Sequence, residues 1–204
     1  MSAPRQGAAP GACRRTCRRI GLIVIAAFWP LMLAAAVPGD LDRLLALLAQ
    51  RQHGEAAFEQ DQFLSVLTRP AHSSGLLTYD APDRLEQHTL EPREQSAVLD
   101  HGVLTLQLGT HRRQLALRDY PQLAPLLESV RATLAGDRPA LEKWFALDFQ
   151  GDLDHWQLLL RPRDPSLAAS VTQVRLRGER AAILEVDVQQ PDGDHSLMRI
   201  TPRE

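Results

Sequence analysis

Cysteine is almost missing from this 204-residue chain: there are two, Cys13 and Cys17, both close to the N-terminus. The same stretch lacks acid. Residues 1–19 carry Arg5, Arg14, Arg15, Arg18 and Arg19 and no Asp or Glu, and an apolar run from Ile20 to Ala36 follows. A positive leader, an apolar run and the small residues Ala34, Ala35 and Ala36 describe a secretory signal peptide over residues 1–36. Read as a membrane anchor, the run is interrupted by Pro30 and, at ~1.5 Å per residue, falls short of a ~30 Å hydrocarbon core. No Cys follows it, which argues against a lipid anchor. Cleavage removes both cysteines and excludes a disulfide framework and a thiol nucleophile from the remainder.

Other absences narrow the chemistry. The 18 basic residues left after position 36 face 25 acidic ones, a balance of −7 before histidines. That disfavours nucleic acid as a partner, because phosphate binding needs clustered Lys and Arg. His53, His72, His88, His101, His111, His155 and His195 are scattered singly, with no ligand spacing, so no metal site is expected. Ser73-Ser74-Gly75 lacks the G-x-S-x-G pattern of a nucleophile elbow. Asp192-Gly193-Asp194 lacks the following Glu of a calcium loop and reads as a hairpin turn. Glu185 and Asp187 share one face of a strand, which is ordinarily a solvated face. No catalytic group and no cofactor is expected.

What is present is pattern. Asp40 reads as the N-cap of a helix carrying Leu41, Leu44, Leu45 and Leu48 at helical spacing and ending at Gly54. Strand-like alternation follows over Ala56–Leu67, and Arg69–Ser74 forms a loop. Two runs, Gly75–Asp80 and Arg84–Glu91, are separated by Ala81-Pro82-Asp83. Ser96–Leu99 and Val103–Leu108 flank a turn at Asp100-His101-Gly102, and Arg113–Leu117 comes after a further turn. Leu123, Leu126, Leu127, Val130 and Leu134 then mark a helix with Gly136 at C′, and Asp137 caps a short helix to Trp144. Strands resume at Phe145, Leu147 and Phe149 and at Trp156, Leu158 and Leu160. After one helical turn at Asp164–Leu167 the chain closes with Val171–Arg177, Ala182–Gln189 and His195–Thr201. The sum is a mostly antiparallel α+β protein in a single domain, residues 37–204: one helix, about four strands, one or two helices, then about five strands.

Several of these strings, in this order, resemble the LolA family of periplasmic lipoprotein carriers. Phe58-Glu59-Gln60 is similar to that family's F-x-Q at its first strand, and Gly75–Pro82 to its G-x-L-x-x-x-R-P run. Val98–Leu104 is similar to its strand–D-G–strand hairpin, and Leu158–Pro162 to its F-x-L-x-P strand. The resemblance covers roughly Leu41 to Ile200. It implies a strongly curved, half-open antiparallel β-barrel whose concave apolar side is covered by helices. The enclosed space would receive acyl chains. On that reading Leu77, Tyr79, Leu85, Leu106, Phe145, Phe149, Trp156, Leu158 and Leu160 line the acyl cavity, and Leu44 and Leu48 belong to a lid helix.

The chain also departs from the family. Ala81 stands where the family has an arginine that latches the lid, and Gln87 stands in place of an inward tryptophan. Arg84 is nearby but points outward by strand parity. The sequence stops soon after Ile200, without the family's further strand and helix. The implied function is a monomeric, non-enzymatic carrier of lipoprotein acyl chains or another lipid in the periplasm. An inner-membrane transporter and an outer-membrane acceptor are its candidate partners. The competing readings are an interaction or sensor module whose cavity is filled by its own side chains, accessory to membrane transport or lipid biosynthesis, and an enzyme acting on acyl groups.

Overall fold

The structure is a computed structural model and describes residues 39–121 and 124–203. The expected signal peptide and Leu123 lie outside the described residues. One open, curved, antiparallel sheet of eleven strands in the order β6-β5-β4-β3-β2-β1-β11-β10-β9-β8-β7 carries a few helices on its inner face. The strands are β1 (His53–Phe63), β2 (Ala71–Asp80), β3 (Arg84–Glu91), β4 (Gln95–Asp100), β5 (Val103–Leu108), β6 (His111–Ala116), β7 (Phe145–Gly151), β8 (Trp156–Pro162), β9 (Gln173–Glu179), β10 (Ala182–Gln189) and β11 (His195–Arg203). The helices are α1 (Asp40–Leu48), α2 (Ala124–Leu134), α3 (Arg138–Trp144) and the single turn α4 (Pro165–Ala168).

Six strands, not about four, precede α2. Gly39, not Asp40, occupies the N-cap of α1, with Asp40 and Asp42 in the first turn where the helix dipole favours acid. The helix stops at Leu48, and Gly54 belongs to β1, opposite Tyr79. Ala71–Ser74 are strand rather than loop, because β1 continues far enough to pair with them. The caps of the later helices follow local chemistry. The Asp137 carboxylate accepts from the Ala140 N–H at 3.1 Å, and Gly136 takes φ +66° after α2.

Gly75 sets the bend of the first half of the sheet. The register between β2 and β3 shifts at Ser74/Gly75, and a Cβ on Gly75 would lie 2.0 Å from the His88 carbonyl oxygen. Only a residue without a side chain permits that approach. Phe58 packs in the same cross-strand row as Gly75 and is buried.

The inner face is packed unevenly. On the β7–β10 side, Phe145, Trp156, Leu158, Leu160, Val174 and Leu176 form a close core with Leu44, Leu45 and Leu48 of α1, Ala132 of α2 and Leu141 of α3. Arg138 ties α3 to α1 through Asp42 at 2.7 Å. The outer face carries cross-strand ion pairs instead, Arg177–Glu185 at 2.6 Å and Arg175–Asp187 at 3.2 Å. The two carboxylates of β10 are therefore each matched to a cation.

Candidate functional site

The β1–β5 side of the inner face lacks that close packing. Cross-strand pairing aligns Gly54, Tyr79, Leu85, Leu99, Leu104 and Leu115 in one row across β1 to β6. The next row runs Ala56, Leu77, Gln87, Ala97, Leu106 and Arg113. Residues paired across antiparallel strands share a face, so both rows point toward the helices. Helix α2 lies over them and leaves a cavity of about 310 Å³. Its walls include Ala56, Leu77, Tyr79, Leu85, Leu99 and Leu104 from the sheet and Leu127, Val130 and Leu134 from α2.

The reason for the void lies in α2. Its most buried residues are Pro125, Ser129, Ala132 and Thr133, not the expected leucine stripe. These small side chains seat the helix against its neighbours. Leu127, Val130 and Leu134 stay half-buried because they face open space rather than another side chain. The two hydroxyls that α2 brings to the cavity are spent locally. Ser129 Oγ donates to the Leu126 carbonyl and Thr133 Oγ1 to the Ser129 carbonyl, each at 2.7 Å. With its hydroxyl donors engaged by the helix backbone, this wall presents mainly hydrocarbon.

The structure divides the residues expected at the cavity. Leu77, Tyr79, Leu85, Leu160 and Leu48 line it. Phe145, Trp156, Leu158 and Leu44 are in the packed core and do not line it, and Phe149 packs against that core from β7. Alternation places these residues on the inner face correctly but cannot say which part of that face the helices fill. Leu106 is on the inner face beyond the cavity and is 38% exposed. The lining residues absent from the expected set are chiefly Leu99 and Leu104 in the β4–β5 hairpin, Leu127, Val130 and Leu134 in α2, and Ile183, Val186, Met198 and Ile200. The leucine stripe of α2 was a visible signal for three of them.

Gln87 lines the cavity in the second row, and Arg84 faces outward, where it bonds Glu86 at 2.7 Å. A different arginine bridges helix and sheet. Arg131 of α2, 17% exposed, reaches Asp83 in the β2–β3 turn at 3.3 Å, Glu128 at 2.5 Å and Asp137 at 3.5 Å. The Glu128 hydrogen bonds lead in holding its guanidinium protonated, above the usual arginine range. Burial raises the Tyr79 phenol above its ordinary value of 10.0. Among the described residues no three or more His, Cys, Asp or Glu side chains gather as a metal site, and no helix is long and apolar enough to cross a membrane.

A family model described as outer membrane lipoprotein carrier protein LolA-like matches residues 33–199. Among solved structures, the chain is similar to one in the Pseudomonas aeruginosa MucA/MucB complex, at 17% identity and a TM-score of 0.48 over 80% of this chain. It spans about half of that protein, 56%. A LolA superfamily protein from Nitrosomonas europaea is similar at 10% identity and a TM-score of 0.45, over 82% of this chain and 95% of its own. LprF from Mycobacterium bovis is similar at 9% identity and a TM-score of 0.36, over 79% and 91%. A search of curated proteins finds no match.

Proposed function

The chain belongs to the LolA-like family of outer membrane lipoprotein carrier proteins, and we propose that it shields the acyl chains of a lipoprotein or another lipid in its cavity during transfer towards the outer membrane. The observation that carries this reading is the unfilled apolar space of about 310 Å³ between the inner face of the sheet, from β5 round to β8, and helices α1 and α2. At roughly 0.8 kcal/mol per methylene, two sixteen-carbon tails would forfeit on the order of 24 kcal/mol in water. A carrier must therefore enclose them, and an apolar hollow with few directed polar groups suits chains that offer no hydrogen bonds.

The same space weighs against a module filled by its own side chains, since the filled region of the sheet is centred elsewhere, around Phe145 and Leu158. The sequence of residues 1–36 supports export to the periplasm with cleavage of that segment. The protein acts as a monomer, without catalysis, between an inner-membrane donor and an outer-membrane acceptor.

The test is lipid mass spectrometry on the protein purified without detergent from its own host. A stoichiometric acylated species supports the carrier and identifies its cargo. No lipid, together with no uptake of a hydrophobic fluorescent probe, overturns it.

A further inference from the structure

Three charged residues line the cavity, Arg51, Glu55 and Glu86, and Arg51 is the cation among them. Arg51 lines the apolar cavity and also the open cleft of about 790 Å³ beside it, and Ala181, Ala182 and Pro202 are common to both. The arginine comes three residues after α1, and its backbone N–H closes the helix end on the Leu48 carbonyl at 3.0 Å. Its side chain then folds back over Gly54. A Cβ at Gly54 would meet the Arg51 Cδ at 3.1 Å and Nη1 at 3.3 Å. Gly54 pairs with Tyr79 and so opens toward the cavity side of the sheet. A glycine at this place in the first row leaves room for the guanidinium at the rim.

Among the described residues Arg51 makes no ion pair and no side-chain hydrogen bond, although it is half-buried. The other charges of the cleft are matched: Arg180 pairs with Asp154 at 3.1 Å, and His155 with Glu179 at 3.2 Å. The acid nearest in sequence, Glu55, also lines the cavity but lies 3.7 Å from His53 and makes no ion pair with Arg51. A guanidinium offers five N–H donors in a planar fork suited to oxyanions. Here that fork stands where hydrocarbon wall gives way to a polar, open cleft.

We propose that Arg51 anchors the head of the ligand, so that this site takes an amphiphile bearing a phosphate or carboxylate, tail in the cavity and oxyanion on the guanidinium. The proposal rests on the carrier reading and narrows it to anionic lipids. The position gives the lipid one orientation: hydrocarbon runs inward under α2, and the head lies in the cleft lined by Arg180, His155 and Leu184.

The test is calorimetric titration of the delipidated protein, as its host produces it, with decyl phosphate, decanoate, neutral 1-monodecanoylglycerol and inorganic phosphate. Both anionic amphiphiles are expected to bind at least about tenfold more tightly than the neutral one, with the preference falling as salt rises. Arg51→Gln should bring that preference to within about twofold, weakening the anionic amphiphiles far more than the neutral one, and Arg51→Lys should restore part of it. Equal binding of anionic and neutral amphiphiles by the unaltered protein overturns the head-group site and leaves the carrier reading standing. An equal loss of both in Arg51→Gln also overturns it, since a merely structural arginine would act that way. Inorganic phosphate binding as tightly as decyl phosphate would make this an oxyanion site independent of the cavity, against the proposal. No binding of any amphiphile overturns the carrier reading together with the proposal.

Discussion

Arg131 of α2 and Asp83 of the β2–β3 turn meet at 3.3 Å, and that pair is a direct polar link between the helix over the cavity and the sheet beneath it. Tyr79 and Leu85, which line the cavity, stand on the strands either side of that turn. Where the family's latch arginine would be, the chain has Ala81. The charge comes from the opposite side, from the helix.

Asp83→Asn tests that link alone, because Arg131 keeps Glu128 and Asp137. Stability should change by less than about 1 kcal/mol, as is usual for a partly exposed pair, while exchange of a bound fluorescent fatty acid speeds several-fold. Arg131→Gln leaves three carboxylates without their shared cation. It should cost about 1.5–3 kcal/mol in urea denaturation. Unchanged exchange in Asp83→Asn would show that the link does not restrain α2.

Cavity and core should separate under mutation. Leu158 is 0% exposed and packed, so Leu158→Ala should cost about 2–5 kcal/mol. Leu77 is half-buried and faces the void. Leu77→Asp should lower probe uptake at least tenfold while shifting the urea midpoint less than Leu158→Ala does. Uptake that survives Leu77→Asp would remove Leu77 from the binding site.

Two histidine–carboxylate pairs give opposite pH dependences. The hydrogen bond to Asp80 raises the His53 pKa above its ordinary value of 6.5. Its stabilising contribution is therefore full below pH 6.5 and is lost as pH rises through the raised folded-state value. The hydrogen bond from His72, aided by Arg199, lowers the Asp61 pKa below 3.8. That contribution is full above pH 3.8 and is lost as pH falls through the depressed value. His53 is exposed and Asp61 is only partly covered, so the effects are small. Nuclear magnetic resonance titration should find His53 protonated at higher pH than a free histidine, and Asp80→Asn should lower it toward the ordinary value, with Glu55 still acting to raise it.

Gly75→Ala should be among the most damaging single-methyl changes in the chain. The new Cβ meets backbone, the His88 carbonyl oxygen at 2.0 Å and the Thr89 Cα at 2.8 Å, so the register shift itself must give way. A loss of more than about 3 kcal/mol, or failure to fold, is expected. By contrast, a Cβ on Gly193 finds open space, and the substitution there should cost only the backbone strain of its φ of +91°. Near-equal denaturation midpoints for the two variants would contradict this account of the bend.

Local chemistry makes much of the fold legible in the sequence. Alternation at Leu104, Leu106 and Leu108 and at Trp156, Leu158 and Leu160 marks strands, since side chains repeat every two residues, but only the second set is covered, Leu106 and Leu108 being exposed. Asp137, Gly136 and the Asp100-His101-Gly102 turn act through their immediate neighbours and occupy the expected places. Patterns of this kind need no knowledge of what lies across the core. They also place Leu77, Tyr79 and Leu85 on the inner face.

The division of that face into a filled region and a hollow one, with Leu160, Val174 and Leu176 bordering both, belongs to the tertiary structure alone. Leu158 and Leu77 have the same hydrophobic character and the same strand periodicity, yet one is sealed under α1 and α3 and the other borders a void. The difference comes from where four small residues of α2, Pro125, Ser129, Ala132 and Thr133, let that helix settle. Arg51 and Arg131 make the same point for charge. Arg51 stands in no local motif, and the local i,i+3 pair of Arg131 with Glu128 does not reveal its reach to the sheet. Arg131 meets Asp83 across 48 positions of sequence, and Arg51 comes to the cavity mouth because α1 ends before it and Gly54 leaves it space. Periodicity reports which face a residue is on; only packing decides what fills the space that face encloses.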